Sequence, residues 1–254
     1  MSADRIALGV KRAETANVLA EDDDLAEAIP AGRRGAALQA ARALVVRVAM
    51  GSWAAQADAA MTEAGFGFLV LDGLLIRRVG MGDRVAAELL GPSDLLRPLD
   101  HDGEEATLPF EAGWQVLEPL RLAVLDRRWA YRMAPYPEVG VELSRRAMQR
   151  SRRLANTLAI SHHPRLDERL LLILWELADR YGTVGRDGVH VPVRMTHEVL
   201  SQLAGARRPS VSAALTRLTQ AGSLEREKRG WLLHGEPPAL PPLPPLPAAA
   251  RPAD

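Results

Sequence analysis

The chain of 254 residues contains no cysteine, which excludes disulfides and any thiolate-held iron–sulfur or zinc centre. Lysine is nearly absent: Lys11 and Lys228 stand alone, and the other basic residues are arginines. Together with the heavy use of alanine, this bias reflects codon choice rather than function. No charge of one sign prevails, with 32 basic against 32 acidic residues. A global basic field for polyanions is therefore missing, although a local basic patch is sufficient for DNA. No apolar run approaches the length of a membrane span, and residues 1–10, which include Asp4 and Arg5, lack the apolar core of a signal peptide. The expectation is a cytoplasmic protein, long enough for two domains with a core each.

What the chain does have is most explicit at 196–221, THEVLSQLAGARRPSVSAALTRLTQA. Thr196 suits an N-cap, Glu198 places negative charge in the first turn, and Val199, Leu200 and Leu203 make a short apolar face. Gly205 breaks this helix. A second helix follows, with Val211, Ala214, Leu215 and Leu218 at i, i+3, i+4 and i+7, and Gly222 as its stop. Its start carries Arg207, Arg208, Ser210 and Ser212. Guanidinium forks match the acceptors of guanine, while hydroxyls and helix-terminal amides hold phosphates, so this end suits a major groove. Any αα-hairpin with a basic end shares part of that pattern. The sequel narrows it: Ser223-Leu224, the polar run 225–230 and Trp231-Leu232-Leu233 read as strand, turn and strand. A hairpin directly after the second helix is a wing, and its Lys228 and Arg229 are candidates for phosphate contact.

From residue 194 to 235 the chain resembles the winged helix-turn-helix of bacterial regulators related to the cyclic-AMP receptor protein, the Crp/Fnr family. Members commonly carry Leu-Thr, a short helix, a glycine, then Ser-Arg-Glu-Thr-Val-Ser-Arg and a helix ending in glycine. The matching positions are Met195-Thr196, Gly205 and the run from Arg207 to Ala213. The resemblance implies that Arg208 reads a base and that Thr196, Arg207, Ser210 and Ser212 lie at or near the DNA. Pro209 stands where the family has a base-reading glutamate, and Ala213 where it has a second arginine. Proline is acceptable in a first helical turn but brings neither donor nor acceptor in its side chain. The docking mode carries over; the family's usual site sequence does not.

Elsewhere, residues 1–35 read as a polar leader with an acidic cluster, Glu21 to Asp24, expected to be solvated. An alanine-rich helix is expected over 33–48. Short apolar runs separated by turns follow over 53–126, with strands at 66–71 and 74–79 around Asp72-Gly73, a hairpin signal. Further strands are expected at 85–90, 106–110, 114–117 and 120–125, with a turn at 91–94. This layout is similar to the β-roll that precedes the DNA-binding domain in the same family. Cyclic-nucleotide-binding members hold the ribose with a Gly-Glu pair and the phosphate with an arginine. Here the corresponding positions are Arg97-Pro98 and Pro109-Phe110-Glu111. A carboxylate beside a phosphate is repulsive, so the resemblance implies a roll that has lost cyclic nucleotides.

Asp126 is the expected cap of a helix ended by Pro135 and Pro137, and 138–160 reads as one long helix leaning apolar at Val139, Leu143, Ala147, Leu154 and Leu158. In the family this helix pairs two subunits. Its arginines, Arg145, Arg146, Arg150, Arg152 and Arg153, read as a solvated face, with a DNA patch as the alternative. His162 and His163 mark an interdomain hinge; adjacent residues do not share a helix face and no cysteine or carboxylate pair accompanies them, so no metal site is expected. A patterned helix then runs over 166–181. The stretch after Gly235, EPPALPPLPPLPAAARPAD, is expected to be a disordered polyproline tail.

The sequence therefore points to an α+β chain: an N-terminal β-roll of the cyclic-nucleotide-binding-like jelly-roll type over 36–136, a dimerisation helix over 137–161, and a C-terminal winged helix-turn-helix over 162–235. The expected function is sequence-specific regulation of transcription, with double-stranded DNA and a second copy of the chain as partners, RNA polymerase as a further candidate, an unknown effector, no membrane and no cofactor. Two alternatives stay open: gating by a cyclic nucleotide or another small molecule, and an interaction scaffold that does not touch DNA. An enzyme is disfavoured, because the roll offers one histidine, His101, and no nucleophile with a base beside it.

Overall fold

A computed structural model describes residues 14–62, 64–81, 84–98 and 110–240. The chain divides into two units, Met1–His162 with Ser201–Arg207, and His163–Leu200 with Arg208–Asp254. In chain order the first comprises β1 (Glu14–Asn17), α1 (Val18–Glu21), α2 (Asp23–Glu27), α3 (Ala31–Ala40), β2 (Arg42–Val48), β3 (Gly51–Trp53), α4 (Ala55–Asp58), β4 (Gly67–Met81), β5 (Arg84–Leu90), β6 (Leu95–Leu96), β7 (Glu111–Leu125), α5 (Arg127–Met133) and α6 (Pro137–Ser161). All strands pair antiparallel, in the order β1-β2-β7-β4-β5, with β3 on β7 and β6 on β4.

Strand alternation sorts this unit into two cores. Phe68, Val70, Leu122 and Val124 point to one side, where Trp53, Leu75, Leu90, Leu96, Trp114 and Val116 fill the interior of the roll. Their neighbours Leu69, Ala123 and Leu125 point to the other, against Val18, Leu19, Leu25, Ile29, Trp129, Val139 and Leu143 of the helices. Residues 14–35 are thus not a polar leader, because their apolar side chains line a core. The expected helix over 33–48 is also corrected: it ends at Ala40, and the Leu-Val-Val-Arg-Val run continues as β2, in keeping with the strand preference of β-branched residues.

The expected hairpin at Asp72-Gly73 is replaced by a bulge within one continuous strand. Between Val70 and Leu75 the register of β4 against β7 shifts, opposite Pro119, which has no N–H to give a ladder. Gly73 sits there at φ +90°, and a Cβ on it would lie 2.2 Å from the Pro119 carbonyl oxygen. Likewise, the separate strands expected at 114–117 and 120–125 are one strand, β7. The turn at 91–94 forms, with Asp94 Oδ2 accepting from Gly91 N at 2.9 Å. Residues 106–109 of the further expected strand, His101, and residues 241–254 of the proline-rich tail lie outside the described residues.

Three of the α6 arginines, Arg146, Arg150 and Arg153, turn onto the rest of the unit rather than into solvent, whereas Arg145 and Arg152 are exposed as expected. Arg146 meets both oxygens of Asp22 at 2.5 and 2.7 Å and Glu142 at 3.0 Å, with Arg146, Asp22 and Glu142 all buried. One and two turns later, Arg150 holds Glu88 at 2.7 and 2.8 Å and the Leu95 carbonyl oxygen at 3.1 Å, and Arg153 pairs with Asp94. Arg145 stays on Glu142. The acidic cluster was expected in solvent, yet Asp22 also caps α2 through Leu25 N at 3.0 Å and accepts from Ser93 Oγ at 3.2 Å. Burial alone would push the Asp22 carboxyl up, but the Arg146 hydrogen bonds and charge outweigh it and hold the group below the usual aspartate range.

A depressed folded value means that the stabilisation by Asp22 is complete above about pH 4 and is lost as pH falls through the folded pKa. Asp22→Ala leaves a buried guanidinium short of its main partner, and should cost about 3 kcal/mol at pH 7. Urea unfolding of both forms should show this gap at pH 7 and a smaller one at pH 3.

Candidate nucleic-acid interface

The second unit is built on α7 (Leu166–Tyr181), whose Leu170, Leu172, Ile173, Leu174 and Leu177 are buried. After it in the chain come β8 (Thr183–Val184), β9 (Val189–Val191), α8 (His197–Leu203), whose residues from Ser201 on are grouped with the first unit, α9 (Arg208–Gln220), β10 (Leu224–Glu227) and β11 (Gly230–Leu233). The four strands form one antiparallel sheet in the order β10-β11-β9-β8. Between α8 and α9 the chain turns at Gly205, φ +57°, a left-handed conformation that favours glycine. On α9, Val211, Ala214, Leu215 and Leu218 are buried and the helix lies along α7. Arg217 clamps that contact with a two-pronged pair to Asp167, 2.6 and 2.9 Å, which also holds the Asp167 carboxyl below its usual range.

Each residue singled out from the sequence has a definite place. Thr196 Oγ1 accepts from Val199 N at 3.2 Å and so caps α8. Arg207 immediately precedes α9 and is exposed. Arg208 and Ser210 stand exposed in the first turn of α9, where the helix dipole and free amides favour anions. Ser212 is different: its hydroxyl is half-buried, 2.8 Å from His197 Nδ1, and donates to the Arg208 carbonyl oxygen at 3.1 Å. It is a peg between α8 and the start of α9. Lys228 and Arg229 form the two-residue turn between β10 and β11, both exposed.

Four further residues shape this surface. His197 lies within the fields of Arg226 and Arg208; burial first, then those two positive charges, hold its imidazole below the usual histidine range. Arg226 on β10 lies 4.7 Å from the buried Trp231 ring, a cation–π contact that fixes its stem and leaves its charge on the wing. His190 bridges β9 to the wing, with Nδ1 3.0 Å from Glu227 and Nε2 3.0 Å from Asp187, and both carboxylates raise its pKa. The pattern HxxxxxxxxxxxxxxS from His197 to Ser212 spans two helices, so no periodicity signals it. Exposed Arg194, just ahead of α8, adds to the basic edge.

His163 pairs with Glu168 at 3.3 Å, and among the described residues no group of three or more histidine and carboxylate side chains could hold a metal ion. Nor is any described helix long and apolar enough to cross a membrane.

Comparison with known proteins agrees with this architecture. Residues 168–240 match the Crp-like helix-turn-helix domain. The chain is 25% identical over 165 residues to the regulatory protein CysR of Synechococcus elongatus, covering 63% of this chain and 71% of that one. It is 28% identical over 161 residues to the CRP-like cAMP-activated global transcriptional regulator of Mycobacterium tuberculosis, covering 62% and 69%. Among solved structures, a CooA variant from Carboxydothermus hydrogenoformans superposes with a TM-score of 0.56 at 16% identity over 87% of this chain and 93% of that one. FixK2 from Bradyrhizobium japonicum gives 0.54 at 15% identity, over 76% and 93%.

Because the Ser212 hydroxyl is engaged inside the protein, Ser212→Ala should act on the fold rather than on phosphate. The expected cost is about 1 kcal/mol of stability, for one part-buried hydrogen bond, with the salt slope of DNA binding unchanged. Thermal melting and DNA titrations at several salt concentrations measure the two separately; a slope lower by about one unit would make Ser212 a phosphate ligand after all.

Proposed function

We propose that this Crp-like transcriptional regulator, with its helix-turn-helix DNA-binding domain, binds an inverted-repeat operator as a homodimer and works without a cyclic nucleotide. In that division of labour 36–136, completed by β1 and the helices of 14–35, is the sensory roll, 137–161 the dimerisation helix and 162–235 the DNA-binding domain. The observation that carries the reading is the outward N-terminus of α9. Arg208 and Ser210 are exposed there, with the exposed cations of the wing on the same unit. Arg208 donates its guanidinium fork to O6 and N7 of a guanine, and Lys228 and Arg229 meet phosphates.

Support for the dimer comes from α6. With Arg146, Arg150 and Arg153 turned inward, it exposes Val141, Met148, Leu154 and Leu158 at 69, 74, 40 and 61%. Val141, Met148 and the exposed Ala155 recur every seven residues, the spacing of a helix seam that packs on its own copy. Against a cyclic nucleotide stand both the Arg97-Pro98 and Glu111 positions and the roll interior. Trp53 lies edge-on to Phe68 and Trp114, 6.1 and 5.7 Å between centroids, and all three rings are buried. Among the described residues, the interior around these rings is filled by aromatic carbon, where a purine riboside requires room.

Selection of half-sites from random duplexes tests the DNA reading. Arg208→Ala should lose about 1–3 kcal/mol and the preference for one guanine per half-site, whereas Lys228→Ala should weaken all sequences alike and lower the salt slope by about one unit. If Arg208→Ala keeps the wild-type preferences, α9 is not in the groove as proposed. Calorimetry addresses the effector: cyclic AMP and cyclic GMP at millimolar concentration should give no saturable heat, and micromolar binding of either would restore a gated regulator.

A further inference from the structure

The inference rests on the reading above, that α9 occupies a major groove, and concerns what its outer face recognises there. The buried residues Val211, Ala214, Leu215 and Leu218 define the inner face. At 3.6 residues per turn, Pro209, Ala213 and Thr216 lie diametrically opposite, within an arc of about 60°, and all three are exposed. Pro209 has neither donor nor acceptor in its side chain, and Ala213 ends in a methyl. The Thr216 hydroxyl proton is given to the Ser212 carbonyl oxygen at 3.0 Å. Of the polar groups on either side, Arg217 is paired with Asp167 and the Ser212 hydroxyl with His197 and the Arg208 carbonyl, while Ser210 is exposed. At Pro209 and Ala213 the outward strip of the helix is therefore carbon, with Arg208 at its start.

We propose that Pro209 and Ala213 are specificity-determining residues that select thymine through its 5-methyl group. In the major groove an apolar side chain has one favourable partner among the base edges, the thymine methyl. Adenine or cytosine at the same place turns an amino group against carbon, and guanine turns two acceptors; each loses water without gaining a hydrogen bond. The half-site is accordingly a guanine, read by Arg208, with thymines beside it read by the Pro209 ring and the Ala213 methyl. Thr216 extends the same strip one turn further.

The test removes only the methyl. A half-site is first selected by the full-length chain from random duplexes, and each thymine in its inverted repeat is then replaced by deoxyuridine. Affinity should fall about four-fold at two or more of these positions, as expected for one methyl returned to water. In Ala213→Gly, deoxyuridine and thymine should bind equally at one of them. Ala213→Arg keeps a good helix former at the same exposed site, and its thymine preference should become one for guanine. If deoxyuridine binds as tightly as thymine everywhere while Arg208→Ala still loses its guanine, the inference fails and the DNA reading stands. If selection returns no sequence preference at all, both fail.

Discussion

The buried pair between Arg146 and Asp22 is the constraint on which the first unit depends. An exposed ion pair contributes little, but this one is out of water and saturated: the carboxylate accepts from two guanidinium nitrogens, from Leu25 N and from Ser93 Oγ. Isolated, either charge is costly to bury; together, with Glu142 as a second acceptor, they fix α6 to the N-terminal helices and to the 91–94 turn at once. Arg150 and Arg153 repeat the grip at Glu88 and Asp94. The helix can then rotate no further, and that decides which residues face out. The stripe of Val141, Met148 and Leu158 is exposed because the opposite side is clipped in place.

The second unit follows the same logic with hydrophobic burial as the anchor. Leu215 and Leu218 of α9 are buried in the unit whose core α7 provides, Arg217 fastens the exposed margin to Asp167, and His197 with Ser212 ties the first turn to α8. The last two of these contacts give polar groups on the flanks of α9 partners within the protein. What is left outward is Arg208, Ser210 and the carbon strip of Pro209 and Ala213. On the proposed reading docking and discrimination are separable: the wing cations Lys228 and Arg229 would attract any DNA, whereas selectivity would lie with Arg208 and the strip.

Legibility in the sequence tracked how local each determinant is. The two helices and the wing of the C-terminal domain are set by i, i+3, i+4 spacing, caps and glycines, all within a few residues, and they stand in the structure as the pattern implies. Asp126 as the cap of α5, accepting from Trp129 N at 2.7 Å, is of the same kind. The misreadings were non-local. Asp72-Gly73 has the composition of a hairpin, and only the pairing partner, with Pro119 opposite, turns it into a bulge. Asp22 sits in an acidic run that looks solvated, and its partner Arg146 is 124 residues away. The apolar residues of 14–35 are sparse, so their burial depended on a sheet assembled from strands far along the chain. At the candidate site, Arg208, Lys228 and Arg229 were visible as exposed charges, but the engagement of Ser212 by His197 was not, because it joins two helices through the turn between them.

The central claim is that two copies of α9 read one operator together. It is tested most directly by comparing the affinity of the full-length chain for three duplexes: the selected inverted repeat, the same repeat with five base pairs inserted between half-sites, and a single half-site. Two recognition helices held about 34 Å apart match half-sites one turn apart on the same face of DNA. The account predicts tight binding to the repeat, with the insertion and the single half-site equally weakened, since half a turn moves one half-site to the opposite face. Equal affinity for all three would contradict it.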